Sequence, residues 1–452
     1  MNQRRTAFLA VFFSISCPVF SFGKTTIKDL DLNGSFSLNW RNVGPEKPGN
    51  ETQIQNQASL SDLFFGTEGK INQEYPLVLE FQAPTISQGK LNLYRFSATI
   101  PYEDRLKLEL GKFLVPFGHY NELYRADKFL SITRPLLYAS PDSLDLVLRL
   151  NSPRPPFSAG YADIGARLSY YPHSRYLPSE LTVYVVNGFG ETNNRSRAFP
   201  STDKLNVEPV PVSGVNIDFG HLNNNLADNH NNKAPGGRIS FALGDFEIPS
   251  PIKEGVELKG ARLGFSGMFG RYDLEEAIGG EDYRIFGSDL VFQYKHFSFT
   301  GEYIYSETDF RMAQADRNNK VDFSQNTDKL PSRKEINRGY HLQLAFPISE
   351  SPFIGQRLLG ILAFGRLERR GPKIIFSDNG DPVTKLPVSA FPERAEQIST
   401  AMDKYTAGLN LQLLQNFLFK QEYSYWRLRV PPIYGSSQSD IYQLAFSCVF
   451  SF

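Results

Sequence analysis

The charged side chains that could act on a ligand are concentrated between Lys107 and Arg154. Residues 114–159 alone hold five basic and four acidic side chains, so the two signs nearly balance. Charges that line a narrow aqueous passage select ions by their sign. This segment therefore predicts an electrostatic filter for small ions and not a reaction centre.

The six histidines offer no arrangement for nucleophilic or acid–base catalysis. A catalytic triad needs a histidine held between a serine and an acidic or amide partner. His296 lies in a predicted tight turn and His173 in a predicted short link, whereas His341 lies on a predicted inner face without a second histidine nearby. We therefore expect no enzyme activity and no cofactor.

One polar segment contains residue types that can bind a metal ion. Residues 218–232 include Asp218, His221, Asp228 and His230. Their spacing matches no known ligand pattern, and an asparagine-rich segment of this kind is typical of a solvated loop. We expect no metal site here.

The elements that must position the charges are β-strands with two unlike faces. In residues 440–452, apolar side chains alternate with small or polar ones. The same period of two appears in residues 30–41, where Leu32 and Leu38 belong to an apolar face and Ser35 to a fully polar one. A sandwich core would not accept that polar face, whereas a barrel with lipid outside and an aqueous lumen inside requires it.

The alternation recurs in sixteen segments, separated by links that are short and long in turn. The segments are 30–41, 63–71, 77–82, 91–100, 106–114, 160–171, 180–187, 236–243, 257–270, 286–294, 297–306, 338–346, 357–367, 403–413, 417–427 and 440–452. Short links are expected on the periplasmic side and long ones, such as 428–439, on the outside. The predicted fold class is therefore all-β: a closed antiparallel transmembrane β-barrel of about 16 strands with long outer loops and short periplasmic turns.

The first residues of the sequence fit export from the cytoplasm. Residues 1–23 contain Arg4 and Arg5 followed by a short apolar core, which is typical of a signal peptide that is cleaved. No later apolar run approaches the length of about 18 residues that a membrane-spanning helix needs. We expect residues 24–452 to form a single barrel domain in the outer membrane of a Gram-negative bacterium.

Two segments resemble known families. The last strand, with Tyr442, Phe450 and Phe452, resembles the terminal strand of bacterial outer-membrane barrels, which implies that these aromatic residues are the signal recognised by the barrel assembly machinery. The segment G-K-F-L-V-P-F-G resembles the G-x-F-x-x-P-F-G segment of the phosphate-selective porin O/P family. The matching residues are Gly111, Phe113, Pro116, Phe117 and Gly118. This resemblance implies a sixteen-stranded, usually trimeric, diffusion channel.

The combined expectation is a passive porin for small hydrophilic solutes, with anions such as phosphate among the candidates. We expect the long third outer loop, residues 115–159, to fold into the lumen and form the pore constriction. The basic side chains predicted to attract a solute are Arg95, Lys107, Arg125, Lys128, Arg134 and Arg167. Glu80 and Glu109 are predicted to temper that preference.

The charge of the chain limits the class of partner. The 48 basic and 48 acidic residues balance, and removal of the two signal-peptide arginines leaves a net charge of −2, which gives no indication of a nucleic-acid partner. The expected partners are outer-membrane lipid and lipopolysaccharide, the assembly machinery and further copies of the chain in a homotrimer. Two alternatives stay open: a scaffold barrel that houses a partner such as an electron-transfer protein, and a surface receptor or adhesin that acts through its outer loops.

Overall fold

The structure is a computed structural model that describes most of the barrel wall and part of one long loop. The described residues are 27–43, 55–71, 75–85, 92–102, 105–123, 125, 127–139, 153, 155–158, 160–172, 179–188, 233–245, 258–272, 281–295, 297–311, 332–351, 356–372, 397–414, 416–433 and 436–452. The expected signal peptide and the polar segment 218–232 lie outside them. None of the described residues forms a helix that is long and apolar enough to cross a membrane.

Sixteen antiparallel strands form one closed barrel, as predicted. They are β1 (Ile27–Val43), β2 (Gln55–Ile71), β3 (Tyr75–Thr85), β4 (Asn92–Tyr102), β5 (Leu106–Leu114), β8 (Ala162–Tyr170), β9 (Glu180–Val186), β10 (Ala234–Asp245), β11 (Leu258–Tyr272), β12 (Glu281–Lys295), β13 (Phe297–Arg311), β14 (Ser332–Ser351), β15 (Gln356–Pro372), β16 (Gln397–Leu414), β17 (Phe417–Ile433) and β18 (Ser436–Ser451). The short strands β6 (Tyr138–Ala139) and β7 (Phe157–Ser158) form a separate parallel pair, so β5 is hydrogen-bonded directly to β8.

The barrel closes between its first and last strands. Phe36 is paired with Phe450, and Trp40 with Phe446, in the antiparallel register of β1 and β18. The rings of Phe36 and Phe450 stack with their centroids 4.9 Å apart. Closure removes the exposed strand edges, whose unpaired N–H and C=O groups would each cost several kcal/mol in hydrocarbon. A closed barrel requires the first and last predicted strands to pair, and this pairing is confirmed.

The two faces of the closing strands are those that the alternation predicted. On the outward face, Leu38 and Tyr442 are 48% and 46% exposed. On the inward face, Ser37 and Ser447 are buried. Aliphatic and aromatic side chains therefore face the lipid, and small polar ones face the lumen.

One predicted loop is wrong. β17 continues to Ile433 and β18 begins at Ser436, so a tight hairpin replaces most of the long loop predicted at 428–439. The outward side chains at this end include Arg427 and Arg429, which lie beyond the apolar band of the wall. The strand prediction depended on apolar residues at every second position. Beyond the apolar band, β17 and β18 continue without such residues, so the prediction ended both strands too early.

Candidate functional site

The third loop, here residues 115–161, leaves β5 and returns to β8 through a hydrogen-bonded neck. The Val115 N–H donates to the Tyr161 carbonyl oxygen over 2.9 Å. The buried Asn121 side chain binds both sides of this neck: its Nδ2 donates to the Val115 carbonyl oxygen (2.7 Å), and its Oδ1 accepts from the Tyr161 N–H (2.7 Å). The neck holds the two ends of the loop together at the wall.

Two glycines of the G-x-F-x-x-P-F-G segment stand where a larger residue would clash. Gly111 has a φ of 119°, and a Cβ atom there would overlap the Phe96 carbonyl oxygen of β4. Gly118 has a φ of 68°, and a Cβ atom there would overlap the carboxylate of Glu302 on β13. The second glycine therefore allows the loop backbone to approach the opposite wall closely.

The apolar residues of the same segment fix the loop by packing. Phe113 and Phe117 are fully buried, and Phe117 stacks on Phe157 at a centroid distance of 4.3 Å. Pro116, between them, is also buried. The resulting core joins loop residues to inward-facing wall residues such as Met268. The five matching residues thus have a structural role in turning the loop inward.

Glu302 binds the beginning of the loop, residues 115–123, which we call its first half, and it also binds Tyr138 further along the chain. Its carboxylate accepts hydrogen bonds from the His119 N–H (3.1 Å), the Tyr120 N–H (3.4 Å) and the Tyr138 hydroxyl (2.5 Å). Burial, together with the Glu302 carboxylate, raises the pKa of Tyr138 well above its usual value, so the hydroxyl stays protonated and donates. We call this group, Glu302 with its three donors, the first anchor.

A closed network of charges surrounds the first anchor. Arg238 donates to both oxygens of Asp289, over 2.7 and 2.9 Å. Arg262 donates to Glu122 over 2.7 Å and to Nδ1 of His119 over 2.7 Å. Burial lowers the pKa of His119, which keeps its imidazole neutral and able to accept this bond. Burial alone would raise the pKa of Glu122, but Arg262, His119 and Arg238 together lower it below its usual value.

Glu422 on β17 binds the next part of the loop, from Arg125 to Arg134, which we call its second half. Its carboxylate accepts hydrogen bonds from the Ile132 N–H (2.6 Å) and the Thr133 N–H (3.1 Å), and also from the Thr133 hydroxyl. Both backbone donors belong to adjacent residues, so the carboxylate holds the chain at one point. We call Glu422 and these donors the second anchor, which also includes three wall side chains that bind neighbouring carbonyl oxygens of the loop.

Three polar side chains of the wall complete the second anchor by donating to loop carbonyl oxygens. Lys404 binds that of Arg134 over 2.9 Å, and Asn410 binds that of Leu130 over 2.8 Å. Lys420 binds that of Phe129. The loop, which begins at β5 and ends at β8, is therefore attached to β13, β16 and β17 of the facing wall.

Four of the predicted site residues meet beside β3 and β4. Arg95 forms an ion pair with Glu80 at 3.3 Å. Arg125 makes a two-point contact with Asp127, at 2.9 and 3.0 Å, and its side chain lies over the ring of Phe64. Lys128 has Arg125, Asp127, Glu80 and Arg95 as its electrostatic neighbours. Burial, and then Arg125, lower the pKa of Lys128 below its usual value.

We call Glu80, Arg95, Arg125, Asp127 and Lys128 the Lys128 patch. The Lys128 side chain is half-buried. Its ammonium forms no hydrogen bond or ion pair with a carboxylate of the described residues. Arg95 and Arg125 each have one. Lys128 is therefore the cation of the patch whose charge is least compensated by a direct partner.

The other four predicted residues lie elsewhere. Arg167 on β8 forms an ion pair with Glu109 on β5, and Ser97 donates to the same Glu109 over 2.6 Å. Lys107 is exposed near the short-turn end of the barrel, with its ammonium 5.0 Å from the ring centroid of Tyr171. Arg134 belongs to the second anchor through its carbonyl group. The predicted set is therefore not one cluster.

Sequence reasoning missed the groups that hold the loop. Glu302, Glu422, Lys404 and Lys420 were not predicted as site residues, although the alternation already assigns them to the inward face. His341 also faces inward as predicted, and its ring packs edge-on against Tyr120 at 5.0 Å. No group of three or more potential metal ligands occurs among the described residues.

Comparisons with known proteins identify the fold but not a family. Neither the protein-family models nor the curated proteins give a match to this sequence. Among solved structures, the outer membrane channel DcaP of Acinetobacter baumannii matches with a TM-score of 0.50 at 12% identity, over 94% of this chain and 97% of that chain.

Two further solved structures illustrate the same likeness. An anion-selective porin from Comamonas acidovorans has a TM-score of 0.49 at 11% identity, over 95% of this chain and 100% of its own. The trimer form of OmpT, an outer membrane protein of Vibrio cholerae, has a TM-score of 0.48 at 10% identity, over 95% and 99%. The fold of this chain, sixteen antiparallel strands in one closed barrel, is thus similar to that of a bacterial outer-membrane channel.

Proposed function

We propose that this protein is an outer-membrane porin, a passive diffusion channel for small hydrophilic solutes with a weak preference for small anions such as phosphate. The third loop forms its constriction. The observation that carries the proposal is the attachment of this loop, which leaves the wall at β5 and rejoins it at β8, to the facing strands β13 and β17 through Glu302 and Glu422. A loop held in this way narrows the lumen at a fixed place, and its side chains become the lining of the remaining passage.

The preference for anions rests on the Lys128 patch. The patch holds three cations and two carboxylates, so its net charge is +1. The two arginines are engaged with carboxylates, which reduces their attraction for a passing anion. Lys128 is left as the main positive charge, so the selectivity is modest and the solute range broad. Inorganic phosphate belongs to that range without a dedicated binding site.

The position of the loop also argues against one alternative function, the scaffold barrel. A scaffold barrel that encloses a protein partner needs an empty lumen, whereas here loop residues such as Tyr120 and Thr133 bind the inner wall. This favours the channel. DcaP, which shares the fold, is described as an outer-membrane channel, and that description is in line with the same choice.

The proposal is tested by reconstituting the mature chain into planar lipid bilayers and measuring current and reversal potential across a potassium chloride gradient. We expect stepwise conductance without energy input, a reversal potential that indicates a weak anion preference, and channel closure in groups of three if the protein is a homotrimer. A barrel that inserts without conducting would refute the porin. A cation-selective reversal potential would refute the anion preference alone.

A further inference from the structure

The outward face of β14 to β18 arranges charged, aromatic and aliphatic side chains in separate rows. In one row, directly paired across the strands, stand Tyr340, Arg366, Asp403, Arg427 and Asp440. The next row consists of Leu342, Phe364, Tyr405, Tyr425 and Tyr442. The row after that consists of Leu344, Leu362, Ala407, Tyr423 and Leu444. Successive rows lie about 7 Å apart, because they are two residues apart along each strand.

The aromatic row is continuous across four strands. The centroid distances are 4.9 Å from Phe364 to Tyr405, 5.9 Å from Tyr405 to Tyr425 and 5.0 Å from Tyr425 to Tyr442. Tyrosine belts of this kind lie at the membrane–water interface of transmembrane barrels. The charged row, on the side of the long loops, is therefore at the height of the lipid headgroups.

A groove opens in the aliphatic side of this belt. Its volume is about 420 Å³. It is lined mainly by Phe299, Leu342, Leu362, Phe364, Tyr405 and Tyr423. The groove exists because Ala407 is small and stands between the larger Leu362 and Tyr423 in its row. An apolar groove that faces hydrocarbon can take part of an acyl chain.

Guanidinium groups gather directly above the groove. Arg366 contacts Glu368 at 2.8 Å and Asp403 at 3.6 Å. Arg338 contacts the same Glu368 at 3.0 Å, and Arg429 contacts the same Asp403 at 2.7 Å. Three cations thus share two carboxylates, which leaves a net charge of +1. The side chains of Arg338 and Arg429 are 56% and 48% exposed, so their remaining N–H groups face outward.

We propose that this surface is a binding site for a phosphorylated lipid of the outer leaflet. Arg338 and Arg429 stand three strand spacings apart, about 14 Å, so each binds a separate phosphate of a doubly phosphorylated lipid through planar donors that suit phosphate oxygens. An acyl chain of the same lipid lies in the groove beside Ala407. The carboxylates Glu368 and Asp403 orient the guanidinium groups before the lipid arrives. The inference rests on the outer-membrane placement in the proposed function, but it does not depend on conductance.

The test is native mass spectrometry of the full mature chain in detergent, titrated with hexa-acylated lipid A that carries both phosphates. Three variants are compared. Arg338→Gln with Arg429→Gln removes the two exposed charges and leaves Arg366 on both carboxylates. Ala407→Phe fills the groove. Arg284→Gln with Lys334→Gln is the matched control, because it removes two outward charges that pair with Glu307 at the same end of the barrel.

We expect the double arginine variant to bind lipid A about 25-fold more weakly, since each surface cation contributes roughly fivefold to anionic lipid binding. Ala407→Phe should weaken binding as well, and the control should not. Equal binding of the dephosphorylated lipid, full competition by inorganic phosphate, or an unchanged Ala407→Phe variant would each overturn the site. Conductance of the same preparations is measured separately, so the loss of the lipid site and the failure of the porin proposal remain distinguishable.

Discussion

The two anchors of the third loop hold the same kind of chain by different chemistry. At the first anchor, Glu302 accepts from backbone and hydroxyl donors, and the charges around it are paired among themselves. At the second anchor, Glu422 accepts from two backbone N–H groups, while Lys404 and Lys420 donate to backbone carbonyls. The first anchor depends on one carboxylate, and the second distributes the attachment over several wall groups.

This difference indicates that one part of the loop holds it in place and that another part contacts the solute. Around the first half, Arg238 and Arg262 are occupied by Asp289 and Glu122, so few charges remain for a solute. The second half begins with the Lys128 patch, where Lys128 has no direct carboxylate partner among the described residues. We infer that the first half keeps the loop in the lumen and that the second half meets the solute.

The largest expected effect follows from removing the carboxylate of the first anchor. Glu302→Ala deletes the acceptor of three hydrogen bonds and leaves the His119 and Tyr120 N–H groups unpaired. A buried N–H group that loses its acceptor costs about 1–3 kcal/mol. We expect the backbone at His119 and Tyr120 to move away from β13, while the packing of Phe117 on Phe157 keeps the loop in the lumen. The single-channel conductance in planar bilayers should rise severalfold.

The control for this variant lies on the same strand. Glu307→Ala removes a carboxylate from the outward face of β13, where it contacts Lys334 and not the loop. Its conductance should equal that of the wild type. Glu302→Gln, which keeps one acceptor oxygen, should fall between the two. If Glu302→Ala conducted like the wild type, the first anchor would not hold the constriction.

A smaller effect is expected at the second anchor. Glu422→Ala removes the acceptor for Ile132 and Thr133, but Lys404, Lys420 and Asn410 still bind loop carbonyls. We therefore expect a modest rise in conductance, below that of Glu302→Ala, together with faster current fluctuations as the second half of the loop moves. The measurement is single-channel recording of both variants in the same buffer. A larger rise in conductance for Glu422→Ala than for Glu302→Ala would contradict the distinction between the anchors.

The wall could be predicted from the sequence because lipid imposes a simple pattern. One side of each strand must be apolar, as at Leu38 and Tyr442, and this constraint repeats every second residue. The inward face follows from the same count, so Ser37 and Ser447 were assigned correctly. The alternation gave wrong strand ends where strands extend beyond the apolar band, as β17 does after Arg427.

The candidate site could be predicted only in part, because loop contacts depend on groups that are far apart in the sequence. Thr133 and Glu422 are 289 residues apart, and nothing local marks them as partners. Residue type suggested Arg134 through the charge of its side chain. In the structure, its backbone carbonyl oxygen accepts a hydrogen bond from Lys404, a contact that residue type does not predict. Gly118 was recognised through a family resemblance, and its close approach to Glu302 gives the physical reason.

Ion selectivity provides a test of the Lys128 patch. Lys128→Gln removes the least compensated cation and lowers the net charge of the patch. A half-buried charge in contact with water contributes about 0.4–1 kcal/mol to such an interaction, so the anion-to-cation permeability ratio should fall about two- to fivefold. Reversal potentials across a salt gradient measure this ratio.

Lys107→Gln is the matched control for selectivity. It removes the same charge from a predicted site residue that lies apart from the patch, beside Tyr171. Its permeability ratio should stay at the wild-type value. An equal shift in both variants would mean that selectivity reflects the overall charge of the lumen and not the second half of the loop.

The smallest expected effect is the response of selectivity to alkaline pH. Burial and the neighbouring Arg125 lower the pKa of Lys128 below the usual lysine value of 10.5. As pH rises through this lowered value, the ammonium loses its proton, so the anion preference should decline before ordinary lysines titrate. Lys128→Arg should keep its preference over the same range, because a guanidinium remains protonated. A parallel decline in both proteins would show that the charge lost is not that of Lys128, and the role of the second half of the loop in selectivity would then have to be assigned to another residue.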